Sequence, residues 1–121
     1  MLKKEIGRQG EDIACNFLKK NKYKILTCNY QIRQGEIDII AQKGDKVIFV
    51  EVKTRTSKRF GTAAEAVTWR KRQHIMQAAL AYMQNEKPKC PQYQFDVTEI
   101  YLTKDGVLEE LNHIKDAFTY V

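Results

Sequence analysis

Hydrophobic and polar positions change their period several times along this chain, and each change marks an element. Ile6, Ile13, Ala14, Phe17 and Leu18 recur at helical spacing and predict a first helix over residues 3–20. Gly7 and Gly10 are poor helix formers, so the start of that helix is either irregular or closely approached by another element. Asn21 suits a left-handed cap at its end, and Lys19, Lys20 and Lys22 complement the helix dipole there. Strands are predicted over 23–31, 36–43 and 46–54, with Gly44-Asp45 as a hairpin turn between the last two. The polar, basic stretch 56–61 reads as a loop.

A helical region follows over 62–85, with Val67, Ile75, Ala78, Ala79, Tyr82 and Met83 on its apolar face. Thr62 and Glu65 suit a capping box. Thr68 is an alternative start, which would make the region two helices with a bend. Pro88 and Pro91 bracket a break. Tyr93, Phe95 and Val97 then alternate with polar residues as a fourth strand, Lys104-Asp105-Gly106 makes a turn, and 107–114 is a last strand. The tail, 116–121, is too short to assign. No repeat, low-complexity tract or linker interrupts the 121 residues, which are expected to form one domain.

Composition narrows the class. Hydrophobic residues at 43% and charged residues at 30% fit a folded soluble protein. No apolar run approaches the ~20 residues that span a bilayer. The charged start, Met1-Leu2-Lys3-Lys4-Glu5, lacks the features of a secretory signal, so a cytoplasmic protein without a membrane partner is expected. Cys15, Cys28 and Cys90 form no Cys-x-x-Cys pair, which excludes a zinc ribbon or thioredoxin-type motif. Cys15 falls on an apolar helix face as a small core residue. His74 and His113 share no metal-ligand spacing and read as helix surface and strand end. The net charge is +6, and residues 51–75 carry seven basic side chains against two acidic ones, or +5. Basicity alone would leave a plain solvated surface the better reading. Its position beside the acidic segment described next favours a nucleic-acid partner.

That segment carries the chemistry. Gly35-Glu36-Ile37-Asp38-Ile39-Ile40 and Val47-Ile48-Phe49-Val50-Glu51-Val52-Lys53 place charge in the most hydrophobic strands of the chain. Burying unpaired charge is costly. With Gly44 and Asp45 as the turn, opposed residue numbers sum to 89, so Asp38 faces Glu51 and Glu36 faces Lys53, all four on one face. The other face, Ile37, Ile39 and Ala41 against Ile48, Val50 and Val52, is apolar and calls for a covering helix. Opposed carboxylates lie ~5 Å apart at Cβ and destabilise a sheet unless neutralised. A divalent cation does this, and hard oxygen ligands select magnesium or manganese. Lys53 beside them is placed to stabilise charge on a phosphate or to position water. The alternative is an exposed salt-bridge net of Glu36, Glu51 and Lys53, of a kind that contributes little.

Asp38, a turn, then Glu51-Val52-Lys53 resembles the D…ExK core of the PD-(D/E)XK nuclease superfamily. Gly7-Arg8-Gln9-Gly10-Glu11, Gly35-Glu36-Ile37-Asp38, the run from Phe49 to Arg55, Phe60-Gly61 and Ala78-Ala79…Tyr82-Met83 together resemble the bacterial YraN-type proteins, uncharacterised protein family 0102. The resemblance covers nearly the whole chain. It implies an α/β fold with a restriction-endonuclease-like core, close to archaeal Holliday-junction resolvases: helix, three-strand antiparallel meander, helix, parallel strand, in a mixed sheet flanked by helices. The unit from Glu51 to Val97 would be a right-handed crossover. It also implies that Asp38 and Glu51 hold Mg²⁺ or Mn²⁺, that the Val52 carbonyl completes the coordination, and that Lys53 is the catalytic lysine. Glu11 would join them from the first helix. Glu36 belongs to the matching GEID motif, with Ile37 where the superfamily has proline. Gln73 and Lys71 lie where members place a further active-site residue.

Arg55, Lys58, Arg59, Lys71 and Arg72 are candidates for phosphate contacts. Trp69 is placed to stack on a base, though one aromatic at a helix start more often packs. The expected activity is a magnesium-dependent endonuclease acting on nucleic acid, with DNA favoured and branched DNA one candidate. The alternatives are a nucleic-acid-binding module without turnover and an interaction protein with a structural acid cluster. A homodimer is left open.

Overall fold

The hairpin whose register follows from Gly44-Asp45 is the centre of the sheet. The computed structural model describes residues 2–59, 61–89 and 92–119. Helix α1 (Lys3–Lys20) leads into strands β1 (Lys24–Ile32), β2 (Gly35–Lys43) and β3 (Lys46–Arg55). A single 3₁₀ turn (Ala64–Ala66) precedes helix α2 (Trp69–Glu86), followed by β4 (Gln92–Leu102) and β5 (Leu108–Phe118). The strands lie in the order β1-β2-β3-β4-β5. The first three form an antiparallel meander, β3 and β4 are parallel through the α2 crossover, and β5 is antiparallel to β4. This is the helix, meander, helix, parallel-strand arrangement expected of a restriction-endonuclease-like core.

The sheet is buried on both faces, because β3 alternates two apolar sets. Val47 and Phe49 join Ile40, Phe95 and Val97 beneath Ile75, Met76, Ala79 and Tyr82 of α2. Ile48, Val50 and Val52 join Ile39, Ala41, Ile100 and Leu102 beneath Ala14 and Leu18 of α1. The apolar face predicted for the hairpin is therefore covered by α1, except at Ile37, which packs in the α2 cluster instead. Its displacement has a cause in the ladder. Pairing between β2 and β3 runs from Lys43↔Lys46 to Ile39↔Val50 and stops, so β2 is free to twist beyond Ile39.

Several ends depart from the sequence expectation. Asn21 is not left-handed; the positive φ (67°) falls one residue later, on Lys22. The 62–85 region is two pieces. Thr62 and Glu65 do make the reciprocal capping box, but on the 3₁₀ turn, and Thr68 starts α2 by accepting from the Lys71 N–H. Beneath that turn, Glu99 Oε2 accepts from the Ala64 N–H (2.8 Å) and the Tyr101 hydroxyl accepts from the Ala63 N–H (2.8 Å). β4 and β5 extend past their predicted ends. His113 lies within β5 rather than at its end, 2.7 Å from Asp96. Phe60, Cys90 and Pro91 fall outside the described residues. The Cys15 and Cys28 sulfurs are 3.8 Å apart as free thiols, and burial followed by Cys28 pushes the Cys15 thiol up to about 11.

Candidate metal and phosphate site

Where β2 and β3 part, the side chains take over the ladder. Asp38 Oδ2 accepts from the Val52 N–H at 2.8 Å, filling a place that a β2 carbonyl would occupy in a continuing sheet. Asp38 and Glu51 are thereby held together, 8% and 4% exposed. Burial of this degree excludes the exposed salt-bridge net. Among the described residues Glu51 Oε2 is buried without a hydrogen-bond partner, and the cation at ion-pair distance from it is Lys71 of α2, at 3.5 Å, rather than Lys53. The carboxyl of Glu51 is pushed up to about 9 by burial and then by Asp38, against the pull of Lys71 and Lys53.

The floor of an open pocket of about 510 Å³ is made by these two acids, Val52 and Lys53. Arg55 and Lys71 line its sides, and α1 contributes Lys3, Ile6, Gly7 and Glu11. Burial and then Lys71 lower the pKa of Lys53. For Lys71 burial pulls downward, but Glu51, Lys53 and Asp38 leave the net shift upward. Glu11 is raised, chiefly by burial and then by Asp38 and Glu36, so the charge of α1's glutamate is felt in the site.

A glycine allows α1 to come this close. A Cβ on Gly10 would stand 1.8 Å from Thr54 Oγ1 and 2.8 Å from Thr54 Cβ, so the helix rests on β3 through a bare backbone. Gly10→Ala should therefore cost about 1–3 kcal/mol by overpacking. It should also lift Glu11 away from Asp38. A urea melt checks the first effect, and a smaller upward shift of the Glu11 carboxyl in an NMR titration checks the second.

The remaining candidates separate. Glu36 does not face Lys53: it pairs with Gln31 of β1 and lines an adjoining groove with Arg70 and His74. It follows β1 because β2 has left β3, and Gly35 packs β2 onto α2, where a Cβ would lie 2.5 Å from the His74 carbonyl oxygen. Gln73 borders a third groove beside Trp69, away from the acids. Of the five phosphate-contact candidates, Arg55 and Lys71 reach the pocket. Lys58 is tied to Glu110 at 2.8 Å and lies over Tyr101, and Arg72 donates to the Val67 carbonyl (3.0 Å) and lies over Phe118. Arg59 stands in the exposed loop, its N–H donating to Ser57 Oγ. Lys3, Thr54 and Thr56 line the pocket although the sequence reading passed them over. For Lys3 the signal was there: residues 3, 7 and 11 repeat at helical spacing and so share a face with Glu11.

The donor set fits a hard divalent cation. Among the described residues no group of three His, Cys, Asp or Glu side chains is arranged as a metal cluster. The site instead presents two carboxylates, one with an orphaned oxygen, beside an open space. Magnesium characteristically takes one or two carboxylates and completes its shell with water and substrate phosphate.

Residues 10–100 match the uncharacterised protein family UPF0102. A UPF0102 protein of Caldicellulosiruptor saccharolyticus is 44% identical over 118 residues, covering 98% of this chain and 100% of the relative. One of Dictyoglomus thermophilum is 45% identical over 118 residues, again 98% and 100%. One of Syntrophomonas wolfei is 44% identical over 117 residues, 97% and 100%. With the family matched across the site and relatives similar from end to end, the chain belongs to the UPF0102 family.

Proposed function

We propose that this protein is a magnesium-dependent endonuclease that hydrolyses DNA phosphodiesters, with branched or junction DNA in repair or recombination as its natural substrate. The observation that carries the proposal is the buried Asp38–Glu51 pair, with Glu51 Oε2 orphaned at the floor of a cation-lined pocket. Such a pair is costly in a sheet unless it has a use.

Asp38, Glu51 and the Val52 carbonyl would hold Mg²⁺ or Mn²⁺. A bound cation supplies positive charge beside the phosphate and makes nearby water more acidic. The protein's own groups do the rest. Asp38 is locked in place by the Val52 N–H, so one ligand is oriented in advance. Lys53 holds a compact positive charge over the reacting phosphate, where a low-dielectric wall strengthens it. Lys71, 3.5 Å from Glu51, stands beside the acids as a second positive charge that would face the phosphate in the loaded site. Glu11 closes the pocket from α1 and orients water.

A DNA-binding module without turnover is the second reading. The Glu51–Lys71 contact favours it, since an internal ammonium already stands beside the acid where a cation would bind. A cleavage panel of single-stranded, duplex, flap and four-way DNA with Mg²⁺ or Mn²⁺ separates the two. The nuclease reading expects products from the wild type, and rates at least about a hundredfold lower for Asp38→Ala and Lys53→Ala. The binding reading expects salt-dependent binding with no product and no loss on Glu51→Ala.

A further inference from the structure

The exposed tryptophan at the start of α2 tells what kind of DNA the site accepts. Trp69 is the chain's one tryptophan and is 74% exposed, so it does not pack, as a lone aromatic at a helix start usually does. An indole left in water forgoes a burial that a folding chain ordinarily takes. A single exposed apolar side chain is by itself unremarkable. The surroundings of this one are what matter.

The first turn of α2, which carries Trp69, contributes to two grooves. On one side Arg70 and Lys71 line the groove that also holds Glu36 and His74, and Lys71 reaches on to Glu51 in the acidic pocket. On the other side the indole borders a groove of about 230 Å³ with Gln73, Met76 and Phe118. That turn is fixed. Arg72 ties the first turn of α2 to the Val67 carbonyl and to the Phe118 ring, and Thr68 caps the helix. An exposed indole on a fixed helix turn, followed in sequence by three cations of which Lys71 reaches the acid site, has the parts of a stacking platform for nucleic acid.

Resting on the nuclease reading above, we propose that Trp69 stacks on an unpaired nucleobase of the strand whose phosphate enters the Asp38–Glu51 pocket. The substrate class is then DNA with unpaired bases beside the cleavage point, not uninterrupted duplex. In a duplex both faces of every internal base are covered by their neighbours, so an indole finds no face to stack on. A single strand, a flap or an opened junction offers one. Gln73 lies in the adjoining groove, with an amide that can meet a base edge.

Because Trp69 is the sole tryptophan, emission excited beyond the tyrosine absorption comes from this side chain alone. Metal-free wild-type protein in chelator is titrated with a fluorescein-labelled single-stranded oligonucleotide, and separately with a blunt duplex of equal phosphate count. Anisotropy of the label reads binding and indole emission reads stacking. The single strand should quench the indole and the duplex should not. Trp69→Ala should weaken single-strand binding by roughly 5- to 150-fold, the loss of one stacked base. Duplex binding should change by less than about twofold, since phosphate contacts are kept, and Trp69→Phe should keep part of the preference. Single-strand binding without quenching overturns the proposal, as does an equal loss for both DNA forms or no binding of either. Cleavage is scored separately with Mg²⁺. Cleavage without quenching sinks the stacking contact alone, and quenching without cleavage sinks the nuclease reading alone.

Discussion

Glu51→Gln should abolish metal-dependent cleavage and at the same time stabilise the metal-free protein. The two effects share one cause. Glu51 is 4% exposed, its Oε2 has no hydrogen-bond partner among the described residues, and its neighbour Asp38 is another acid. Burial and Asp38 push its carboxyl up to about 9 from an ordinary 4.5. Between those values the folded protein holds a proton that the unfolded chain has released, so stability falls as pH rises through that window. Glutamine does not ionise. The variant's stability should be flatter over the same range and higher than wild type at pH 8, because wild type loses about 1.4 kcal/mol for each pH unit of that window and glutamine, with no proton to release on unfolding, does not. In the proposed metal site the same change removes an anionic ligand, so cleavage should drop at least about a hundredfold. Urea melts at pH 5 and pH 8, with and without Mg²⁺, check all of it. A variant less stable than wild type at pH 8 would mean that the Lys71 pair outweighs burial.

Asp96→Ala should do the reverse and cost about 3–5 kcal/mol. Asp96 is fully buried in β4, yet its carboxylate is well supplied: Gln94 Nε2 and the Asp116 N–H donate to Oδ1, both at 2.9 Å, and His113 Nε2 lies 2.7 Å from Oδ2. Alanine would strand the Asp116 N–H and the histidine. The pairing of β5 with β4 near Phe118 would loosen, because Asp116 holds a left-handed backbone there (φ 52°). Asp96→Asn keeps one acceptor and should lose less. Cleavage by either variant should track the folded fraction, measured by circular dichroism at the assay temperature.

These two acids show how far charge in a strand can be read from sequence. The central hairpin was legible because turn and alternation agreed, and the register they dictate is the one found from Lys43↔Lys46 to Ile39↔Val50. It brought Asp38 to Glu51. It did not foretell that the strands part there, because the split depends on twist and on Gly35 packing against α2, neither of which is local. Glu36 and Ile37 were misplaced for that reason. The rule that buried-strand charge marks a working site also needed the structure. Asp96 and Glu99 sit in β4 as deeply as Glu51 sits in β3, and their oxygens are taken up by His113, Asn112 and backbone N–H groups far along the chain. Only the pattern of hydrogen bonds separates an acid that braces the fold from one left open to a ligand. The far end of β5 was illegible for a similar reason: Lys115-Asp116 carries no strand signal, and pairing with β4 alone extends it to Phe118. Conversely, Thr68 as a helix cap and the Thr62–Glu65 box were plain in the sequence, since caps depend on residues three apart.

The central claim is that Asp38 and Glu51 form a hard-cation site, and calorimetric titration of Mn²⁺ into the protein at pH 8 tests it most directly, without requiring the right DNA. The wild type should show a binding event, accompanied by proton release as Glu51 ionises, that is absent from both Asp38→Asn and Glu51→Gln. Absence of binding to the folded wild type at millimolar Mn²⁺, or binding that persists unchanged in both variants, would contradict it.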